Sequence, residues 1–306
     1  MTADAVTPLL VQNKRIRMTE LIISQVVNGL VLGFLYVLIA IGLSIIFGML
    51  GVVNFAHGVY FALGAYFALT LRDNLGPWAI VLAPLGVGLL GMLIEMTLMR
   101  PLYGKEPLLG LFMTFGIALF TEELIRTIWG AAGRPFNPPS FLSGFIVWGP
   151  VLVTKYRLFV LVVTIVILAA LWLFLHGTRY GRIIRAGSRD PEMVSMLGIN
   201  LKKVFTAVFG LGTAVAGIAG VLAAPLWSVV PSMSEAAIMP AFVVVTIGGL
   251  GSFGGAVISG LLVGVSVALS IQFWPAASTA VMYALMIVVL LIRPRGLLGE
   301  SWERFE

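Results

Sequence analysis

The sequence of 306 residues has no cysteine and little charge, with 19 basic and 13 acidic side chains making up 10% of it. The absence of cysteine excludes disulfide frameworks, thiolate zinc sites and cysteine nucleophiles. The small share of charge, compared with roughly 25% in soluble domains, excludes a soluble globular protein. Apolar residues, in contrast, make up 60% of the chain and raise its mean hydropathy to +1.07. The chain is therefore predicted to be a polytopic membrane protein.

Long apolar runs follow one another along the chain, and most reach the length of about 20 residues that a membrane-spanning helix needs. They are continuous and do not alternate with polar residues, so they predict helices and exclude a β-barrel. One run is too short to cross alone, and the first is longer than one crossing needs. The prediction is an all-α bundle of about eight to nine spans with a broken or re-entrant segment. The runs are Leu21 to Leu50, Phe55 to Leu71, Trp78 to Met99, Leu108 to Trp129, Leu158 to Leu175, Val204 to Trp227, Ile238 to Leu250, Ala256 to Phe273 and Ala276 to Ile292.

Basic residues crowd into one loop, residues 177–203, where they far outnumber Asp190 and Glu192. Loops rich in Lys and Arg stay on the cytoplasmic side of a membrane. The net charge of +6 is therefore read as a sign of topology and not of a nucleic-acid ligand. We place this loop in the cytoplasm, while the sides of the two termini stay open. Its basic residues are Arg179, Arg182, Arg185, Arg189, Lys202 and Lys203.

Within this loop, the stretch from Asp190 to Gly198 has the composition of a short capped helix. Asp190 suits the N-cap, Pro191 suits the first helical position, and Glu192 complements the helix dipole in the first turn. Gly198 stands just past the expected end. The helix has an apolar face outside the membrane, which either rests on lipid headgroups or docks into a groove of a partner. That face consists of Met193, Met196 and Leu197.

Polar residues and glycines interrupt the apolar runs at two places. Asn54 and His57 break an apolar stretch, and polar side chains at membrane depth usually face a bundle interior or a watery path. Their alternative role is to satisfy backbone groups at a helix break. Glycines crowd residues 248–255, which permits a broken or re-entrant backbone. We expect the substrate path to be lined or bordered by Asn54, His57, Thr246, Gly248, Gly249 and Ser252.

The two breaks suggest an internal repeat, because each precedes a helix with recurrent small residues. These include Gly58 and Gly64 after the first break and Gly260 and Gly264 after the second. If the repeat is inverted, the breaks face opposite leaflets, the run from Ile238 re-enters, and the C-terminus lies outside. The sequence raises an inverted repeat as a possibility without deciding it.

Four patches of the chain, taken in order, carry a family likeness. The first runs from Asn28-Gly29-Leu30 to Asn54-Phe55-Ala56-His57-Gly58, and the second from Gly181 to Asn200. The third is Ile247 to Ala256, and the fourth is Arg293-Pro294-Arg295-Gly296-Leu297-Leu298-Gly299. Together they resemble the LivH-like permease family of ABC importers for branched-chain amino acids, whose cytoplasmic coupling loop is similar to the second patch. The outer region from Arg134 to Pro150 departs from the branched-chain pattern, which leaves the substrate open.

The resemblance implies a non-catalytic permease subunit of the bacterial cytoplasmic (inner) membrane that pairs with a second homologous permease. Two cytoplasmic ATPase subunits would drive transport, and an extracytoplasmic binding protein would deliver the substrate. The permease domain would span residues 21–299 after a polar extension, residues 1–20, with the coupling loop at 177–203. The residues expected to couple to the ATPases are Arg185, Asp190, Pro191, Glu192, Met193, Met196, Leu197 and Gly198.

No cofactor or metal is expected on this chain, and ATP with Mg is assigned to the partner ATPases. The pair Gly104-Lys105 is followed by Glu106, so it does not complete a phosphate-binding P-loop. His57 and His176 stand far apart, and no clustered nucleophile or metal set suggests an enzyme. The alternatives are a permease for urea or short amides in the same family, or an ion-coupled secondary carrier or channel. A proton-coupled carrier is disfavoured because no acidic residue sits clearly in the middle of a run.

Overall fold

The computed structural model describes residues 3–148 and 151–299, with side chains described from Met18 onward and outside residues 148–151. Nearly all of this is helical, as the continuous apolar runs predict. A π-helical turn, Glu95–Met99, continues the third helix, and two short antiparallel strands, β1 (Phe145–Trp148) and β2 (Val151–Thr154), form a hairpin. The helices are α1 (Ala3–Leu50), α2 (His57–Leu75), α3 (Ala79–Ile94), α4 (Pro107–Trp129), α5 (Lys155–Gly177), α6 (Arg179–Arg189), α7 (Pro191–Met196), α8 (Leu201–Trp227), α9 (Met233–Gly248), α10 (Phe253–Phe273) and α11 (Ser278–Ile292).

Seven helical stretches in the described residues are long and apolar enough to cross a membrane. The longest of them, His57–Leu102, has 46 residues and contains both α2 and α3, which fold back on each other at Gly76–Trp78. The apolar helix α9 has 16 residues and is shorter than a full crossing needs. The predicted polytopic helical bundle with a short broken segment is confirmed. The β hairpin was not predicted, and α1 begins at Ala3, inside the polar extension.

Contacts between helices define the two ends of the bundle. Gly187 of α6 packs against Met49 near the end of α1, so α1 ends on the side where α6 and α7 lie, called here the α6–α7 end. Arg157, at the start of α5, donates to Asn28, about six helical turns before Met49 in α1. Because β2 leads directly into α5, the opposite side is called the hairpin end. Helices α1, α3, α5 and α11 run toward the α6–α7 end.

The core is built on glycine contacts between α1, α2, α8 and α10. A Cβ atom on Gly33 would lie 2.9 Å from the carbonyl oxygen of Gly260, and one on Gly64 would lie 2.2 Å from that of Gly217. Such contacts let helix backbones approach closely where lipid provides no hydrophobic driving force. Side chains from Leu35 to Ile41 of α1 are almost fully buried, whereas α4, α5 and α11 expose many large apolar side chains, as lipid-facing helices do.

Two helices begin inside the bundle after a break, and their first residues meet. Gly51, after α1, and Ser228, after α8, have positive φ angles of 66° and 64°, and each opens a short connection that leads into a new helix. Gly58 of α2 then packs on the carbonyl of Ser234 in α9. Since α1 and α8 run in opposite directions, these two breaks are related as in an inverted repeat. The structural counterpart of the first break is therefore residues 228–232. The sequence-based pairing of the first break with the glycine-rich turn is wrong.

The glycine-rich turn lies at the α6–α7 end together with the end of the described chain. Helix α10 packs antiparallel to α1, with Gly29 near Ala268 and Val37 near Gly260. The segment after α11 folds back onto the end of α9, where Leu297 N donates to the carbonyl of Ile247 at 2.7 Å. Arg293 and Arg295 therefore lie on the side of the basic loop, in agreement with the positive-inside rule. The outside position that an inverted pairing of the two predicted breaks required is wrong.

Candidate functional site

The short helix predicted between Asp190 and Gly198 is present as α7. The Oδ1 atom of Asp190 accepts from the backbone N of Met193 at 2.9 Å, and Pro191 occupies the first helical position. Gly198 follows with a φ angle of 78°, a conformation that glycine adopts without strain. The cap and the stop read from the sequence are both confirmed.

Helix α7 is attached by one face and presents the other to its surroundings. Pro191 and Val194 are buried against the bundle, whereas Met193, Met196 and Leu197 are 57%, 82% and 73% exposed. We call the exposed set, Met193, Met196 and Leu197, the docking face. Arg185 and Glu192 are also exposed and border it with charge. A rigid apolar knob with a charged rim is the arrangement expected of an inserted anchor.

The first break places two polar side chains deep in the bundle. His57 is fully buried at the start of α2, and its Nε2 atom lies 3.0 Å from the carbonyl oxygen of Ile39 in α1. A carbonyl can only accept, so Nε2 carries the proton and Nδ1 is left as an acceptor. Nδ1 has no hydrogen-bond partner in the described residues, and neither do the amide oxygen and nitrogen of the buried Asn54. Tyr60, one turn further along α2, has an unpaired buried hydroxyl as well.

The second predicted break, the turn between α9 and α10, is held differently. A Cβ on Gly255 would lie 2.0 Å from the carbonyl oxygen of Gly248, and one on Gly249 would lie 2.4 Å from Gly299. Ser252 caps α10 by accepting from Gly255 N at 3.1 Å, and Thr246 is half-buried. The polar groups of this turn are used in local structure, and its glycines allow backbones to touch.

Aromatic and polar contacts bring the first break close to α9. The rings of Phe55 and Phe242 lie 4.9 Å apart. Phe242 lies in α9, one turn before Thr246. Near the meeting point of α2 and α9, Ser234 donates to Glu122 of α4 at 2.7 Å, and Glu122 pairs with Arg126 at 2.7 Å. The pairing of Glu122 with Arg126 follows from their i, i+4 spacing, but Ser234 lies 112 residues away and no sequence pattern marks it.

A second ion pair with a buried carboxylate lies at the α6–α7 end. The fully buried carboxylate of Glu95 receives two hydrogen bonds from Arg100, at 3.3 and 3.0 Å, and one from Thr206 of α8 at 2.7 Å. Burial, and then the nearby Glu95 carboxylate, raise the pKa of Tyr103, which therefore stays neutral. Thr206 lies 111 residues from Glu95, and no sequence pattern marks this contact.

A cavity of about 210 Å³ opens beside this ion pair. Pro191 of α7 and the end of α1 line one part of it, and Met99, Tyr103 and Phe205 line another. Tyr103 and Phe205 pack edge to face at 5.4 Å. Residues of α7 and neighbours of Glu95, Arg100 and Thr206 thus line the same cavity. We call Glu95, Arg100 and Thr206 the Glu95 cluster. In the described residues, no group of three or more His, Asp or Glu side chains is arranged to hold a metal ion.

Comparisons with known proteins agree with this architecture. The family described as "Branched-chain amino acid transport system / permease component" matches residues 25–290. The chain is similar to the high-affinity branched-chain amino acid transport system permease protein LivH of Escherichia coli K12, with 34% identity over 91% of this chain and 96% of the relative. It is also similar to BraD of Pseudomonas aeruginosa, with 33% identity over the same shares. The probable LivH of Methanocaldococcus jannaschii is 28% identical over 89% of this chain and 91% of the relative. No solved structure matches the chain.

Proposed function

Because the chain belongs to the permease family of branched-chain amino acid transport systems, we propose that it forms, with a second homologous permease, the membrane path for branched-chain or other small amino acids. It is a multi-pass permease subunit of the ABC importer class in the bacterial inner membrane. The relatives' names support amino acids over urea, short amides or an ion-coupled carrier. An extracytoplasmic binding protein would deliver the substrate at the hairpin end. ATP would be hydrolysed by two cytoplasmic partners, since no P-loop is present in this sequence.

The observation that carries this function is the docking face on α7. Its three apolar side chains are more than half exposed on a capped helix. Arg185 and Arg189 flank this helix, which makes a rigid protrusion outside the membrane core. We assign it, with Arg185 and the residues from Asp190 to Gly198, to contact with the ATPases. Closure of the ATPases would then push α7, and α8, which begins at Leu201, would carry the motion into the bundle.

The substrate path is proposed to pass the first break, beside Asn54 and His57. Their unpaired polar atoms lie where α2 and α9 begin inside the bundle, and unpaired polar groups at membrane depth are costly unless a substrate or water path needs them. The end of α9 would be held in place beside the path by Thr246, Gly248, Gly249 and Ser252. The surroundings of Asn54 and His57 suit a small substrate without net charge.

Pull-down of the ATPase subunits from membranes tests the docking assignment. We expect the double variant Met196→Asp, Leu197→Asp to lose most ATPase recovery, because charge replaces the apolar anchor, while the amount of membrane-inserted permease stays normal. A matched control, Met196→Leu with Leu197→Met, keeps the apolar surface and should keep recovery. If the aspartate variant recovers as much ATPase as wild type, α7 rests on lipid headgroups and the docking assignment fails.

A further inference from the structure

The Glu95 cluster joins two helices that no local sequence pattern connects. Glu95 ends α3, Arg100 follows it at the next turn, and Thr206 lies in the second turn of α8. The hydroxyl of Thr206 accepts from Arg100 and has one proton to donate, to Glu95 at 2.7 Å or to the carbonyl of Lys202 at 2.9 Å. A carboxylate is the stronger acceptor, so the hydroxyl bridges the two charged groups.

The backbone is distorted at the same place. Residues Glu95–Met99 form a π-helical turn, in which Arg100 N donates to the carbonyl of Glu95. In a regular α-helix, residues five apart point to different faces, whereas the wider turn brings Arg100 back over Glu95. The ion pair and the π-helical turn therefore depend on each other. Single π-helical turns occur frequently at functional sites.

Thr206 follows α7 closely in the chain. Asn200 caps α8 by accepting from Lys203 N, and only four residues, 197–200, connect α7 to α8. Pro191 of α7, Tyr103 and Phe205 line the same cavity of about 210 Å³. Any displacement of α7 that reaches the first turns of α8 therefore reaches Thr206.

We propose that Glu95, Arg100 and Thr206 form a clamp that makes the end of α3 and the start of α8 move as one unit when the ATPases displace α7. The clamp residues are positioning residues: they contact neither ATP nor the proposed substrate path. The inference rests on the proposed function, because it assumes that ATPases act on α7. Without the clamp, ATP hydrolysis continues, but the start of α8 moves partly without the end of α3, and less substrate is imported for each ATP.

The test uses the complete importer reconstituted in lipid vesicles, with substrate import and ATP hydrolysis measured together. Thr206→Val is nearly isosteric and removes the bridging hydroxyl, whereas Thr206→Ser keeps it. Thr97→Val is a matched control, since Thr97 is exposed in the same π-helical turn and donates only to Leu93 of its own helix. We expect substrate imported per ATP to fall about tenfold in Thr206→Val, the loss of one charge-assisted hydrogen bond, and to stay normal in Thr206→Ser and Thr97→Val. Equal ratios in Thr206→Val and wild type overturn the clamp, and so does an equal fall in all three variants.

A distance measurement gives a second readout. The sequence has no cysteine, so spin labels at Met96 and Lys203, both exposed, report on α3 and α8 without background. We expect their separation to be the same with and without ATP in wild type and to change with ATP in Thr206→Val. A separation that changes in wild type, or that stays fixed in Thr206→Val, contradicts the clamp. Absence of ATP-driven uptake in wild type would count against the proposed function, whereas normal uptake with normal coupling in Thr206→Val counts against the clamp alone.

Discussion

The connection between α1 and α2 and the turn between α9 and α10 interrupt the bundle in two different ways. At the first, Asn54 and His57 are buried with polar atoms that have no partner in the described residues. At the second, the glycines of residues 248–255 bring the backbones of α9, α10 and the C-terminal segment into contact, and the Ser252 hydroxyl caps α10. Glycine density marks close backbone packing, whereas unpaired polar side chains at a helix break mark a place that a mobile ligand could use.

The largest effect is expected from filling the tight turn. Gly255→Ala would put a Cβ 2.0 Å from the carbonyl oxygen of Gly248, and backbone must shift to relieve it. Overpacking typically costs about 1–3 kcal/mol, so we expect the free energy of unfolding to fall by about that amount or more. The thermal unfolding temperature of the detergent-solubilised protein should fall with it. Gly116→Ala is the control, since its Cβ would meet nothing within 4 Å. If the two variants unfold at the same temperature, the packed character of the turn is refuted.

A smaller effect, on transport and not on folding, is expected at the first break. Asn54→Leu replaces an unpaired buried amide by an apolar group of similar size, so stability should be unchanged or slightly higher. Uptake should fall by up to about tenfold, the value of one lost hydrogen bond to a substrate. Thr164→Val, which removes another unpaired buried hydroxyl in α5, should leave uptake unchanged. Normal uptake by Asn54→Leu would remove Asn54 from the path.

The smallest effect is expected at the cap of α10. Ser252→Ala should destabilise the protein by about 1 kcal/mol, the usual value of an N-cap, with uptake per folded molecule retained. Ser252→Asn restores a capping group and should restore stability. A loss of uptake in both variants at normal protein levels would show that the Ser252 hydroxyl itself borders the path. Both breaks would then contribute polar groups to the path.

Much of the fold follows from local patterns in the sequence. Continuous apolar runs predict the helices, and Asp190, Pro191 and Gly198 predict α7 with both of its ends, because caps and stops act within a few residues. The polar interruption at Asn54 and His57 also marks the first break. The contact of Gly58 with Ser234 could not be predicted, since it depends on how two distant breaks meet in space.

The same limit applies to the two buried carboxylates. The i, i+4 spacing predicts that Glu122 pairs with Arg126, whereas Glu95 and Arg100 are five residues apart and meet because of the π-helical turn. Their other partners, Thr206 and Ser234, lie 111 and 112 residues away, and a single hydroxyl in a long apolar helix carries no signal of its contact. The β hairpin was missed for a different reason: its strands have only four residues each, too few for a periodic pattern.

We have proposed that this chain passes amino acids through the membrane under the control of ATPases that bind α7. Uptake of labelled leucine by vesicles containing this chain, its partner permease, the ATPases and the loaded binding protein tests this most directly. We expect uptake that requires ATP and is lost in the Met196→Asp, Leu197→Asp variant while the control Met196→Leu, Leu197→Met retains it. Uptake that proceeds without ATP, or that the aspartate variant carries out at the wild-type rate, would contradict it.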